Sequence, residues 1–347
     1  MTSHLRTAAL VAICLLAAGA ALAQQPTPAP TPTPEPTESF YATSLHATNR
    51  GIAHLYAKEQ GGLELLTGMT ADEMGCLKGK CHVRNCDTCH RVDVDGKAAF
   101  TTDKARIQQA CDRCHPVDKD DPDVHLRKGM RCVDCHSARE VHGDGTAYTT
   151  ARQPGVIDTT CARCHAAISK SASHTVHGDK LECQACHTRD FVTCLNCHIE
   201  TRLKQGKESA IQVKDILFLV NHDGRVTTGN FLSYVYKGRT MITIAPTFAH
   251  SIRRDGLRCA DCHGSANVKA VAAGTFVPFR WENGAVTVTK GVVPVLDGMP
   301  WSMPFLEREG DVWVPIAEPP KPLVTFAGFS SPLSREQLAR LEAPRGR

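Results

Sequence analysis

The chain is poor in the side chains that usually fill an interior. Aromatic residues are 5% of its 347 positions, with only 3 Trp and 5 Tyr, which excludes an ordinary aromatic-rich core. Long apolar runs are equally scarce. Past the first two dozen residues no stretch approaches the roughly 20 apolar positions needed to span a bilayer, so no transmembrane segment is expected in the mature chain. The 40 Lys and Arg residues, set against 36 acidic ones, are scattered and never interleave with aromatics, which gives no footing for nucleic acid as a partner. What the chain has in abundance is cysteine and histidine, 17 of each.

Residues 1–23 read as a secretory signal peptide. His4 and Arg6 make a basic start, Ala8 to Leu22 an apolar run, and Ala21-Leu22-Ala23 a small-residue cleavage site. Export places the protein in the periplasm or outside the cell. Residues 24–39 alternate Pro and Thr, which favours extended polyproline geometry and buries nothing, so they read as a linker.

From Cys76 to His90 the chain reads C-L-K-G-K-C-H-V-R-N-C-D-T-C-H. In Cys86-x-x-Cys89-His90 two thiols are spaced to add across the two vinyl groups of one porphyrin, and the histidine follows where its imidazole reaches the iron. This is c-type haem attachment. The two-residue spacing recurs at Cys111/Cys114/His115, Cys132/Cys135/His136, Cys161/Cys164/His165, Cys183/Cys186/His187, Cys194/Cys197/His198 and Cys259/Cys262/His263. Cys76/Cys81/His82 has the same order with four intervening residues, and Gly79 lets the longer loop bulge. All sixteen cysteines outside the signal peptide are then consumed by eight covalently attached haem c groups, and these haems are expected to form the core of the multihaem part. Structural zinc and disulfides are the rival readings of paired cysteines, but neither needs a histidine after every second cysteine. With eight haems bound, the sequence charge of +4 gives way to a holoprotein near about −5.

Outside the signal peptide and the motifs eight histidines remain: His46, His54, His125, His142, His174, His177, His222 and His250. One for each iron predicts histidine on both faces of every haem. His125, His177 and His250 each stand a few residues ahead of an attachment motif, from where a neighbouring haem is the expected target.

The expected fold class is haem-dominated, mostly short α-helices and loops in the multihaem part, with a smaller β-rich C-terminal region carrying one haem. The domain reading follows: 40–210 with seven haem sites and 211–347 with the eighth. Ser44 to Tyr56 reads as a helix carrying His46 and His54 on one side. Ile216 to Val220, Phe231 to Tyr236 and Met241 to Ile244 read as strands around turns at Asn221-His222-Asp223-Gly224 and Lys237-Gly238-Arg239. Phe276 to Trp281, Ala285 to Thr289 and Val312 to Ile316 read as further strands. Ser334 with Gln337 opens a C-terminal helix by the capping-box pattern.

The repeated motifs, the wide-spaced variant at Cys76 and the histidine-rich gaps resemble the multihaem c-type cytochromes, including the tetrahaem class III type, over roughly Ser44 to His263. The resemblance implies haems in near contact, electron transport along them and low potentials. Methionine as an axial ligand would raise the potential, and Met69, Met74, Met130 and Met241 are the possible substitutes. The leading expectation is an exported octahaem electron carrier serving redox partner proteins. Two alternatives stand beside it. One is an octahaem reductase of a nitrogen or sulfur oxyanion with one haem lacking the second histidine, in which Lys78 or Lys80 acts as ligand or proton donor. The other is a homo-oligomer or filament, in which His46 and His54 ligate a haem of the next copy.

Overall fold

The structure, a computed structural model, describes residues 38–77, 83, 85–115, 123–168, 170–188, 192–206 and 209–343. The signal peptide, nearly all of the Pro/Thr linker, and Lys78, Gly79, Lys80, Cys81 and His82 lie outside the described residues.

Hydrophobic patterning after residue 192 builds one mixed sheet. Its strands are β1 (Thr193–His198), β2 (Ile211–Val213), β3 (Ile216–His222), β4 (Arg225–Tyr236), β5 (Arg239–Pro246), β6 (Gly291–Pro294), β7 (Leu323–Phe326) and β8 (Ser330–Ser331). The order across the sheet is β6-β3-β4-β1-β2, with β5 also on β4, β7 on β5 and β8 on β3. β4 is long enough to pair antiparallel with β3 through Val226 to Gly229 and with β5 from Gly229 onward. The turns between these strands are made by Asp223-Gly224 and Lys237-Gly238, all four with positive φ, the geometry a tight hairpin demands. β3 is buried on both faces from Ile216 to Val220, which explains its unbroken apolar run. Phe218, Phe231, Phe279 and Trp301 stack at its centre with ring centroids 5.0–6.5 Å apart. Phe279–Glu282 with Ala285–Val288, and Leu306–Glu309 with Val312–Pro315, form separate two-stranded hairpins. Ser334 and Gln337 close the predicted capping box on the helix Arg335–Glu342.

The expected fold class, haem-dominated and mostly helical with β structure confined to a smaller C-terminal part, is overturned. Strand makes up 26%, and among the described residues only five helices reach seven residues. A further hairpin, Arg91–Val94 with Lys97–Phe100, lies among the attachment motifs. The physical reason is local. Among the described motifs all but that of Cys194, which lies in β1, close about one helical turn and then stop, so they contribute very little helix, whereas the alternating and β-branched segments pair over long distances. The helix expected over Ser44 to Tyr56 is shorter, spanning Arg50–Tyr56, and His46 lies outside it in the turns that precede it.

Candidate metal centres

The C-x-x-C-H spacing has a direct local consequence. Histidine N–H donates to the carbonyl of the first cysteine four residues back in five motifs: His90 to Cys86 (2.9 Å), His115 to Cys111 (2.8 Å), His136 to Cys132 (2.8 Å), His165 to Cys161 (2.9 Å) and His263 to Cys259 (2.7 Å). One turn of helix thereby presents two thiols and an imidazole together. Cys183–His187 is helical throughout. None of the described cysteines is in a disulfide.

Thiols of successive motifs lie side by side. Cys111 hydrogen-bonds with Cys132, and Cys161 with Cys183. The shared bond with Cys161 lowers the Cys183 thiol to about 6. Cys114 stands within electrostatic reach of Cys89, Cys164 of Cys135, and Cys186 of Cys259 and Cys262. The five motifs from Cys86 to Cys183 are therefore neighbours in space in chain order, and the Cys183 motif then meets that of Cys259, passing over the motif of Cys194.

The thiols are not all enclosed. Cys86, Cys114, Cys161 and Cys164 are exposed, and the other described cysteines of the motifs are half-buried. The reason is the lack of apolar cover. In the motifs of Cys114 and Cys164 the histidines, His115 and His165, are exposed as well, and so are Arg113 and Arg163 between the two cysteines. Protein side chains alone leave these two turns at the surface, with one face open on which a porphyrin can lie.

Six motif histidines each face a second imidazole. The pairs and their ring-centroid separations are His90 with His142 (5.9 Å), His115 with His46 (6.2 Å), His136 with His250 (6.1 Å), His165 with His125 (5.9 Å), His187 with His174 (6.3 Å) and His263 with His177 (6.1 Å). Two imidazoles bound to one metal at about 2 Å per bond, with roughly 1 Å more from each nitrogen to its ring centre, have ring centres about 6 Å apart. The donor set thus fits an iron held between two rings. His125, His177 and His250 each face a motif other than the one they precede. Val124 N–H donates to Ile252 O (3.0 Å) and Ile252 N–H to Asp123 Oδ2 (3.1 Å), so the segments carrying His125 and His250 run together and reach in two directions.

The outer ring nitrogens are also engaged as metal-bound imidazoles require. Nδ1 donates to a backbone carbonyl in His46 (Val141, 3.2 Å), His90 (Thr101, 2.8 Å), His177 (Ser173, 2.7 Å), His187 (Arg253, 3.0 Å) and His263 (Arg340, 2.9 Å). Two others donate to carboxylates. His125 Nδ1 meets Asp123 Oδ1 at 2.7 Å, and His136 Nδ1 meets Glu140 Oε2 at 2.5 Å. Burial of Glu140 opposes its ionisation, but hydrogen bonds from Asp158, His136 and Thr159 outweigh that and hold it at about 2. Burial keeps His46, His142 and His250 below the ordinary imidazole pKa, and the facing ring adds repulsion against a second charge. They stay neutral, the state in which imidazole binds metal.

Three described histidines of the expected ligand set face no imidazole. His54 stacks on Phe329 with centroids 5.9 Å apart. His222 Nε2 donates to Arg152 O at 2.8 Å, and its ring meets Phe248 edge-on. His198 presents Nε2 to the Glu307 carboxylate and pairs Nδ1 with Thr201 Oγ1 at 2.8 Å. Its motif is also built differently. Cys194 and Cys197 lie in β1, where a register shift and Asn196 at φ 53° leave both thiols half-exposed, and His198 N–H donates to Ser209 O instead of to Cys194. Sequence reasoning missed Asp123, Glu140 and Glu307; the one signal was an acidic residue two to four positions from a histidine of the expected ligand set, present for the first two.

The donor set, paired thiols followed by an imidazole with a second imidazole facing it, is of the kind that could hold a covalently attached haem. Over 103 residues the chain is 25% identical to the cytochrome c-552 of Haemophilus ducreyi, a match covering 28% of this chain and 20% of that protein. The chain thus spans about a fifth of the length of the curated relative it matches. No family model and no solved structure matches. Among the described residues no helix is long and apolar enough to cross a membrane.

Proposed function

We propose that the chain is an exported octahaem c-type cytochrome that passes electrons along closely spaced haems between redox partner proteins, in the periplasm or at the cell exterior. The observation carrying this reading is the set of six imidazole pairs at 5.9–6.3 Å, each joining an attachment-motif histidine to one from elsewhere in the chain. When bound, haem supplies reversible one-electron transfer. The chain's own residues hold two imidazoles in line, fix their tautomers through Nδ1 and place successive motifs in contact. Filling both axial positions limits ligand exchange and rearrangement, which suits a carrier. The domain reading, seven sites in 40–210 and the eighth in 211–347, belongs to the same proposal.

Use of His46 within its own chain, opposite His115, takes it from the set available to a neighbouring copy. The His198 motif, which lacks a facing imidazole, is what favours the reductase as the second reading. Mass analysis of the mature protein together with electron paramagnetic resonance of its oxidised form tests the carrier. Eight added porphyrins and at least six low-spin ferric centres are expected. Fewer than six low-spin centres would sink the proposal.

A further inference from the structure

Asp123 stands where two of the imidazole pairs meet. It caps the short helix Val124–Arg127, and its Oδ1 accepts both the backbone N–H of His125 (2.8 Å) and the ring N–H at His125 Nδ1 (2.7 Å). Its Oδ2 accepts the N–H of Ile252 (3.1 Å), two residues after His250, and Val124 N–H on Ile252 O (3.0 Å) closes the tie. His125 faces His165, and His250 faces His136. One side chain therefore holds the segments that bring the second ring to two different motifs. The carboxylate is 5% exposed and lies within electrostatic reach of the His250 ring and of Cys135 in the Cys132 motif. Among the six motifs with a facing imidazole these two are the third and fourth along the chain. At the flanking sites the Nδ1 donors His46, His90, His177, His187 and His263 meet neutral carbonyls.

We propose that Asp123 is a positioning residue shared by two haem sites: one buried carboxylate sets the second imidazole at both Cys132–Cys135 and Cys161–Cys164 and lowers both potentials together. The inference rests on the reading that these two motifs carry haem. A carboxylate on Nδ1 makes the His125 ring a more basic ligand, and hydrogen bonding behind an axial ligand is one of the levers that set a haem's potential. At His250 the same carboxylate acts through the backbone of Ile252 and through its charge, which is poorly screened in a buried position. A displacement of either segment is passed to the other through the same two oxygens. The two sites then form a low-potential middle, from which an electron moves toward either end of the line.

The test uses the full holoprotein, with potentials and signals of the individual centres read by redox titration under electron paramagnetic resonance. Asp123→Asn removes the charge and is expected to move two low-spin centres. The potential rises by roughly tenfold in the one-electron ratio, about 59 mV, at the Cys161 site, and by at least about threefold at the Cys132 site. Glu140→Gln identifies the second of these, because it acts on the Cys132 site alone through His136. Asp123→Glu keeps the charge on an arm one methylene longer. It is expected to shift the largest g value of the same two centres, which reports ring orientation, while both potentials stay within about twofold of wild type. A response confined to one centre, two responding centres of which neither answers to Glu140→Gln, or no response to either Asp123 variant overturns the shared role and leaves the carrier reading intact. A wild type with fewer than six low-spin centres sinks the carrier reading itself, and the role of Asp123 with it.

Discussion

At the scale of single residues, the imidazole pairs differ in what holds the outer nitrogen. Five of the named histidines donate Nδ1 to a neutral carbonyl, but His136 donates to Glu140, which is locked by the N–H groups of Asp158 (2.7 Å) and Thr159 (2.6 Å) on its other oxygen. A carboxylate on Nδ1 makes the ring a more basic ligand and favours the ferric state. Glu140→Gln keeps an acceptor for the backbone donors and loses the charge. It is expected to raise the midpoint potential of the haem at Cys132–Cys135 by roughly 60 mV, a tenfold change in a one-electron ratio, as read by spectroelectrochemical titration. Because Glu140 is held at about 2, the difference between variant and wild type should stay constant from about pH 5 to 8. A potential that does not move would show the carboxylate to be only a backbone clamp. The attachment motifs were legible because their chemistry lies in five consecutive residues. Which ring faces which was not, since His136 finds His250 from a distant stretch and nothing local specifies that meeting.

At the scale of elements, the hairpins of the central sheet were readable and the strand β1 was not. Asp223-Gly224 and Lys237-Gly238 announce their turns, and the apolar runs beside them pair in the expected places. In β1 the thiols stand at i and i+3, a spacing that fits no period of two, and only the bulge at Asn196 turns both toward one face. β6 and β7 were equally hidden, being four-residue parallel partners recruited from far along the chain. Close packing shows most sharply at Gly229, opposite Phe218, where an added Cβ would lie 2.9 Å from Val220 Cγ1 and 3.3 Å from Cγ2. Gly229→Ala is therefore expected to destabilise the sheet by about 1–3 kcal/mol, the usual cost of overpacking a rigid interior. Chemical denaturation followed by tryptophan fluorescence measures it, with Trp301 on Phe231 and Phe218 as the reporter. An unchanged midpoint would mean that Val220 yields freely.

At the scale of the whole molecule, the chain has two kinds of interior. The main apolar cluster draws all its buried members from Ala185 onward, and a smaller one gathers Leu63, Leu66 and Met74 with Ile199, Tyr236 and Met241. Among the described residues between 77 and 184, the buried apolar side chains are Ala110 and Val156. That stretch carries the motifs that begin at Cys86, Cys111, Cys132 and Cys161, with Cys183 at its edge, so under the proposed function haem attachment there would add apolar surface that its side chains lack. The surface positions of Cys114 and Cys164 belong to the same deficit. Side chains so few and so small bury too little apolar surface to offset the entropy of ordering the backbone. A chain exported without haem attachment is accordingly expected to fold only in part. Hydrogen exchange should find the amides of β3, β4 and β5 protected and those of residues 86–177 exchanging at rates near an unfolded peptide, with both regions protected once haem is attached. Equal protection of the two regions in the haem-free chain would show that side chains alone suffice.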